Sequence, residues 1–206
     1  MGPPGSGKGT QAKKVAQELG LVYFGTGDLM RDEIEKGTAL GLEFKKVMEE
    51  GKLVSDDLVE KFVDQRLNDV GIQKGIVFDG YPRTIGQAQH LERFLKEKGI
   101  DNLKVLNLTV KPESLIARMQ KRRICQECGK IFRDAVGEGL TECDQCHGQL
   151  ILRNDDKPEV LRHRIDIYVQ QTKPLIDFFQ RKGVLTNIDG EPSIEEVWEE
   201  IKEKLK

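Results

Sequence analysis

Gly2-Pro3-Pro4-Gly5-Ser6-Gly7-Lys8-Gly9-Thr10 is the stretch on which the reading of this chain turns. Glycines at this density let the backbone turn tightly and bring successive N–H groups against phosphate oxygens. The residues from Lys8 to Leu19 then read as a helix stopped by Gly20, and the start of that helix adds partial positive charge. Lys8 supplies a mobile ammonium for terminal phosphates, so Gly5, Ser6, Gly7, Lys8, Gly9 and Thr10 form a candidate phosphate cradle. In the commonest form of the motif Ser or Thr follows the lysine directly. Here Gly9 intervenes, which makes Thr10 a less direct metal-side ligand. Met1-Gly2 with Ser6 also fits the N-myristoylation template, but the phosphate loop accounts for the same residues better.

Downstream of this loop, short β-branched or aromatic runs alternate with helical stretches, the signature of an α/β parallel sheet with helices on both faces. Val22-Tyr23-Phe24, Gly75 to Phe78, Lys104 to Val110 and Val184 to Ile188 read as buried strands. Thr84 to Lys98, Pro112 to Lys121 and a long segment from Pro158 towards Gly183 read as helices, with a kink expected at Pro174. Ser193 to Glu196 is a capping box that opens the last helix. Two stretches break the alternation. Residues 26–54 read as short helical segments punctuated by Gly37, Gly41 and Gly51, and residues 122–156 are loop-rich and hold all four cysteines. Both read as insertions at the edge of one sheet in a single domain spanning 1–206.

The 206 residues are enough to bury a core without disulfides, and they carry 33 basic against 35 acidic side chains, a net charge of −2. That balance argues against a general nucleic-acid or membrane-surface binder, which needs excess cation to neutralise phosphates. No apolar run approaches the roughly 18 residues of a membrane span, and no charged-then-apolar leader precedes a cleavage site. The expected setting is soluble and cytoplasmic. The abundance of Glu and Lys fits a heat-tolerant source.

Asp79-Gly80-Tyr81-Pro82-Arg83 follows the apolar run Ile76-Val77-Phe78. A carboxylate at the C-terminal edge of a parallel strand, in a sheet that also bears a phosphate loop, is where Mg²⁺ and its waters are held. Arg83 then faces the same crevice as a bidentate anion ligand. The cysteines follow the spacing Cys125-x2-Cys128-x14-Cys143-x2-Cys146. Paired knuckles of this kind suit tetrahedral thiolate coordination of a structural Zn²⁺, and disulfides are unexpected in a cytosolic chain. His147 is adjacent and could compete as a ligand, although four sulfurs already satisfy the metal.

Four signatures agree in order and spacing: the phosphate loop, Thr26-Gly27-Asp28 with Arg31, Asp79 to Arg83 with Gln87, and Arg153 with Asp155-Asp156 before Arg164. Over essentially its whole length the sequence resembles the adenylate kinases. The resemblance implies a parallel-sheet core with an AMP-binding helical insertion at 26–54 and a mobile lid at 122–156, here of the zinc-bearing type. It implies reversible phosphoryl transfer from Mg-ATP to AMP, giving two ADP and serving adenine-nucleotide homeostasis. On that resemblance Lys8 and the loop amides hold the ATP phosphates and Arg118 stacks on the ATP adenine. Thr26, Arg31, Val54, Gly80, Arg83 and Gln87 hold AMP, with Arg31 and Arg83 on its phosphate and Gln87 on its adenine. Arg122, Arg153 and Arg164 close on the transferring group, the last two also facing AMP. Asp79 orients the magnesium waters, and Asp155 and Asp156 help anchor the closed lid. Loose, charge-rich phosphoryl transfer needs positioning and positive charge more than a nucleophile, which arginines on separate segments provide when the site closes. A monomer is expected for this size.

Two features depart from the family pattern. Adenylate kinases begin with a short apolar strand just before the phosphate loop, whereas here Met1 abuts Gly2, so the core should be reduced and two neighbouring strands exposed. Lys121 stands where many relatives have glycine, adding charge near the lid hinge while leaving catalysis intact. A UMP/CMP-type kinase shares the same framework, but Thr26 and Gln87 favour AMP. A nucleic-acid-binding zinc ribbon joined to an NTP switch would use Lys121-Arg122-Arg123 beside Cys125, yet Phe132 is the sole aromatic there for stacking.

Overall fold

The computed structural model describes residues 1–70, 74–135 and 137–206. Helix α1 (Lys8–Leu19) starts from Gly7 in the left-handed region, φ 90°, and stops at Gly20, whose N–H turns back to the Ala16 and Gln17 carbonyls. The chain returns through β1 (Val22–Gly25) into α2 (Thr26–Glu35) and α3 (Ala39–Glu49). The expected break at Gly41 is absent. Gly41 lies in the first turn of α3 because any Cβ there would collide with the Glu33 carbonyl, so the glycine allows two helices to meet backbone against backbone. Thr38 caps α3, its hydroxyl accepting from the Gly41 N–H at 2.9 Å.

Helix α4 (Asp56–Val70) occupies a stretch that the sequence analysis leaves unassigned. Its signal is nevertheless helical: Val59, Phe62, Val63 and Leu67 recur on one face and are all buried. Strand β2 (Ile76–Asp79) leads to α5 (Ile85–Glu97), capped by Thr84, then β3 (Val105–Thr109) and α6 (Pro112–Lys121). Segment 122–156 is less irregular than expected. β4 (Arg123–Cys125), β5 (Ile131–Phe132) and β6 (Leu150–Ile151) form a small antiparallel sheet in the order β5-β4-β6. Lys121 at its entrance pairs with Asp134 at 3.2 Å on the surface.

The long C-terminal helical segment is α7 (Pro158–Ile167), a π-helical turn at Tyr168–Thr172, and α8 (Pro174–Arg181). The irregularity thus falls just before Pro174, which has no N–H to continue the ladder. Strand β7 (Leu185–Asp189) and α9 (Ile194–Leu205) close the chain, the latter with the expected capping box between Ser193 and Glu196.

The four core strands pair in parallel as two couples. β1 lies on β2 with Val22 opposite Ile76 and Gly25 opposite Asp79, and β3 lies on β7 with Val105 opposite Leu185. No strand joins the couples among the described residues. Met1 supplies a fragment of one: its carbonyl accepts from the Leu108 N–H at 3.0 Å and its amine donates to the Leu106 carbonyl. This modifies the expectation of two exposed strands. β2 is half-buried at every residue, whereas β3, covered by Met1, buries Val105, Asn107 and Leu108. The apolar core persists as three clusters: one around Phe24, Phe44 and Phe62, one around Ile188, Trp198 and Ile201, and one around Leu175 and Phe179.

Candidate active site

The parallel strands end on the same side as the start of α1, so Asp79 at the end of β2 meets the phosphate loop. One cavity of about 820 Å³ opens along this edge and continues between β2 and β3, where Ile76, Val77, Leu103 and Val105 line it. The loop lines it with Gly5, Gly7, Lys8, Gly9 and Thr10. Ser6 instead turns inward, buried, with its hydroxyl unpaired by any side chain or backbone group among the described residues. No side chain caps α1, so its first N–H groups face the loop without an internal acceptor, which suits an anion. Burial lowers the Lys8 ammonium to about 8; Asp79 opposes the shift and Arg83, Arg164 and Arg122 reinforce it.

The predicted cations converge on the same space from separate elements. Arg31 on α2, Arg83 after β2, Arg118 on α6, Arg122 before β4, Arg153 after β6 and Arg164 on α7 all line the cavity. Their geometry is fixed by the chain itself. Arg83 donates from Nε to the Gly80 carbonyl at 2.8 Å, and burial together with Arg164 lowers it to about 10 while Asp79 acts against this. Arg118 is held by the Gly190 and Glu191 carbonyls at 2.8 and 3.0 Å. Asp155 and Asp156 interleave the others: Arg153 lies 3.3 Å from Asp155, and Arg164 reaches both carboxylates at 3.0 Å. Arg31 pairs with Asp28 one helical turn away.

Thr26, Val54 and Gln87 stand behind this surface and are buried, while Gly80 lines it with φ 78°. Thr26 donates its hydroxyl to the Asp79 carbonyl at 3.1 Å. Gln87 accepts from the Arg83 N–H and donates to Asp56, each at 2.8 Å, so its amide positions the Arg83 loop. Sequence reasoning missed Asp56, whose other oxygen takes the Thr84 hydroxyl at 2.6 Å, because its helix carried no motif. It also missed Arg133 from the cysteine-bearing segment, whose guanidinium lies 3.2 Å from where a Gly7 Cβ would stand.

The residues present fit Mg²⁺ beside the loop. Gly9 has no side chain, and a Cβ there would lie 2.9 Å from Asp79 Oδ2, so the missing atom is what lets a hard oxygen donor approach the phosphate cradle. The cysteine sulfurs fit Zn²⁺. All four lie within 4.8 Å of one another, with Cys125 3.4 Å from Cys146 and Cys128 3.6 Å from Cys143. A tetrahedron with Zn–S bonds of about 2.3 Å needs sulfurs roughly 3.8 Å apart. His147 is not in the group. It takes a left-handed turn, φ 58°, with its N–H on the Cys143 carbonyl.

A phosphate loop at the carboxyl edge of parallel strands, faced by arginines from six separate elements, defines a P-loop phosphoryl-transfer site. The adenylate kinase family model matches residues 1–184. Full-length relatives named adenylate kinase agree: that of Thermoanaerobacter sp. (strain X514) is 45% identical over all of this chain and 95% of its own length. Those of Archaeoglobus fulgidus, at 43%, and Carboxydothermus hydrogenoformans, at 44%, each match all of this chain and 97% of their own length. The chain belongs to the adenylate kinase family.

Proposed function

We infer that the protein transfers a phosphoryl group reversibly from Mg-ATP to AMP, giving two ADP, with Lys8, Arg83, Arg122, Arg153 and Arg164 as the charged groups on the reacting phosphates. The observation that carries this reading is the meeting of Lys8 with Arg31, Arg83, Arg118, Arg122, Arg153 and Arg164 in a cavity that Arg133 also lines, with Asp155 and Asp156 as internal counter-ions for three of these arginines. Such an array binds more negative charge than a single nucleotide brings, and it suits a donor and an acceptor phosphate together.

On this reading the loop amides and Lys8 grip the donor phosphates, and Arg118 covers the donor base. Arg31 and Arg83 hold the acceptor phosphate, with Thr26, Val54, Gly80 and Gln87 shaping its pocket and Arg153 and Arg164 bridging both sides. Segment 26–54 serves as the AMP-binding insertion and 122–156 as the lid that excludes water, so that ATP is not lost to hydrolysis. Asp79 would hold Mg²⁺ through its waters, and the ion would supply charge neutralisation to the donor phosphates. Cys125, Cys128, Cys143 and Cys146 would hold a structural Zn²⁺ that keeps the lid folded. The reading includes a monomer, the default for a chain of 206 residues. It includes a cytoplasmic setting, supported by four cysteines that gather as a metal-ligand set and not as disulfides. No described helix is long and apolar enough to cross a membrane.

The test is ADP formation from ATP with AMP, UMP or CMP as acceptor. Rapid turnover with AMP and little with the pyrimidine nucleotides is expected, and faster use of UMP or CMP would overturn the acceptor assignment.

A further inference from the structure

Tyr23 sits on β1 with its ring folded over Gly25, two residues on along the same face. A Cβ on Gly25 would lie 2.6 Å from the tyrosine Cζ and closer still to the hydroxyl, so only glycine permits this pose. The Lys13 ammonium, 5.3 Å from the ring centroid and 3.2 Å from Asp28 Oδ2, holds the other side. The hydroxyl is thereby aimed between two carboxylates, 3.0 Å from Asp28 Oδ2 and 3.2 Å from Asp79 Oδ2. The Asp79 oxygen it meets is the one that Gly9 admits to the phosphate loop. The phenol carries the one hydrogen available to these two acceptor oxygens, so it is the donor in both contacts.

We propose that Tyr23 is a positioning residue that fixes the Asp79 carboxylate against the phosphate loop, with Asp28 as its second anchor. The inference rests on the assignment of Asp79 to magnesium waters and adds the group that sets its orientation. A carboxylate whose loop-facing oxygen accepts from a neutral donor resists rotation, and that oxygen keeps a further lone pair for the ion's waters. Asp28 also accepts from Arg31, so the same unit spans from the donor metal to the acceptor-side arginine.

The experiment measures ATP affinity by calorimetry, with excess Mg²⁺ and with EDTA, for the wild type, Tyr23→Phe and Gly25→Ala. Tyr23→Phe removes only the hydroxyl. ATP affinity in EDTA should stay within about twofold of wild type, while the gain conferred by Mg²⁺ should shrink by roughly 3- to 10-fold, the scale of one typical net hydrogen bond. Gly25→Ala displaces the ring and should lower the Mg²⁺ gain in the same direction. An undiminished Mg²⁺ gain in Tyr23→Phe overturns the proposal while leaving the Asp79 assignment standing. Equal weakening with and without Mg²⁺, accompanied by a lower melting temperature, also overturns it, since Tyr23 is then merely structural. A wild type with no Mg²⁺ gain defeats the Asp79 assignment and the proposal together.

Discussion

Arg122 grips the Asp156 carboxylate with two nitrogens, Nε at 2.9 Å from Oδ2 and Nη2 at 2.6 Å from Oδ1, and that carboxylate has no exposed surface. Arg164 donates to Oδ1 from another helix at 3.0 Å. One buried negative charge therefore sets two arginines before any phosphate arrives. Asp156→Asn should leave Arg122 without its charged partner and Arg164 with Asp155 alone, and destabilise the fold by about 3–5 kcal/mol. Urea unfolding measures this, and a loss below about 1 kcal/mol would show that solvent relieves the pair.

Lys8→Met should lower turnover by roughly 10²-fold or more with little change in stability, because it deletes a charge aimed at the transferring phosphates. The wild type adds a pH signature. Burial brings the Lys8 ammonium to about 8, so kcat/KM for ATP should fall as pH rises through that value. The same lowered value makes the buried ammonium a cost to folding that is fully present below about pH 8 and is relieved as pH rises from about 8 to 10.5, so stability rises across that window. Near-wild-type rates for the methionine variant at saturating ATP would refute the loop assignment.

Arg83→Ala should impair AMP use more than ATP binding. Loss of its bidentate grip should cost on the order of 2–4 kcal/mol in the transition state. Steady-state kinetics with each substrate varied will decide it: reduced ATP affinity with an unchanged AMP KM would show the two sites to be wrongly divided.

Burial alone would raise the Asp155 carboxyl, yet Arg164, Arg153, Arg31 and Arg122 hold it at about 2. Its folded value lies below the ordinary 3.8, so its contribution to stability is present above 3.8 and is lost as pH falls towards 2. Asp155→Asn should flatten the fall of melting temperature across that window. An unchanged acid slope would contradict the pairing.

Zinc removal under reducing conditions should release one ion per chain, lower the melting temperature and loosen segment 122–156, which has little apolar core of its own. Activity well below the melting point should fall only in part, because Arg122 and Arg153 flank the cluster without depending on zinc chemistry. Unchanged melting of the metal-free protein would refute the structural role, and complete loss of activity in a still-folded core would reveal tighter coupling.

The chemistry was legible where it was written as local spacing. The glycines around Lys8, the strand-ending Asp79 and the cysteine knuckles each declare their geometry within a few residues, and the structure brings them into the places that spacing implies. Gly41 misled because a glycine in a helix reads as a break, while its cause was the Glu33 carbonyl of another helix. Asp56 and Tyr23 were illegible for a related reason: their importance lies in contacts with Gln87 and Asp79, 31 and 56 residues away. The helix 56–70, by contrast, carried a readable apolar stripe.

The division of the parallel strands into two couples bears on how the molecule opens. The β1–β2 couple and its apolar cluster draw every buried member from residues 24–91, a contiguous length of chain. The β3–β7 couple and its clusters must gather Val15, Leu108, Ile188 and Ile201 from both ends of the sequence. Loop closure therefore slows assembly of the second unit far more than the first. Amide exchange should therefore report two protected blocks of different depth, the β1–β2 block re-forming first after each opening.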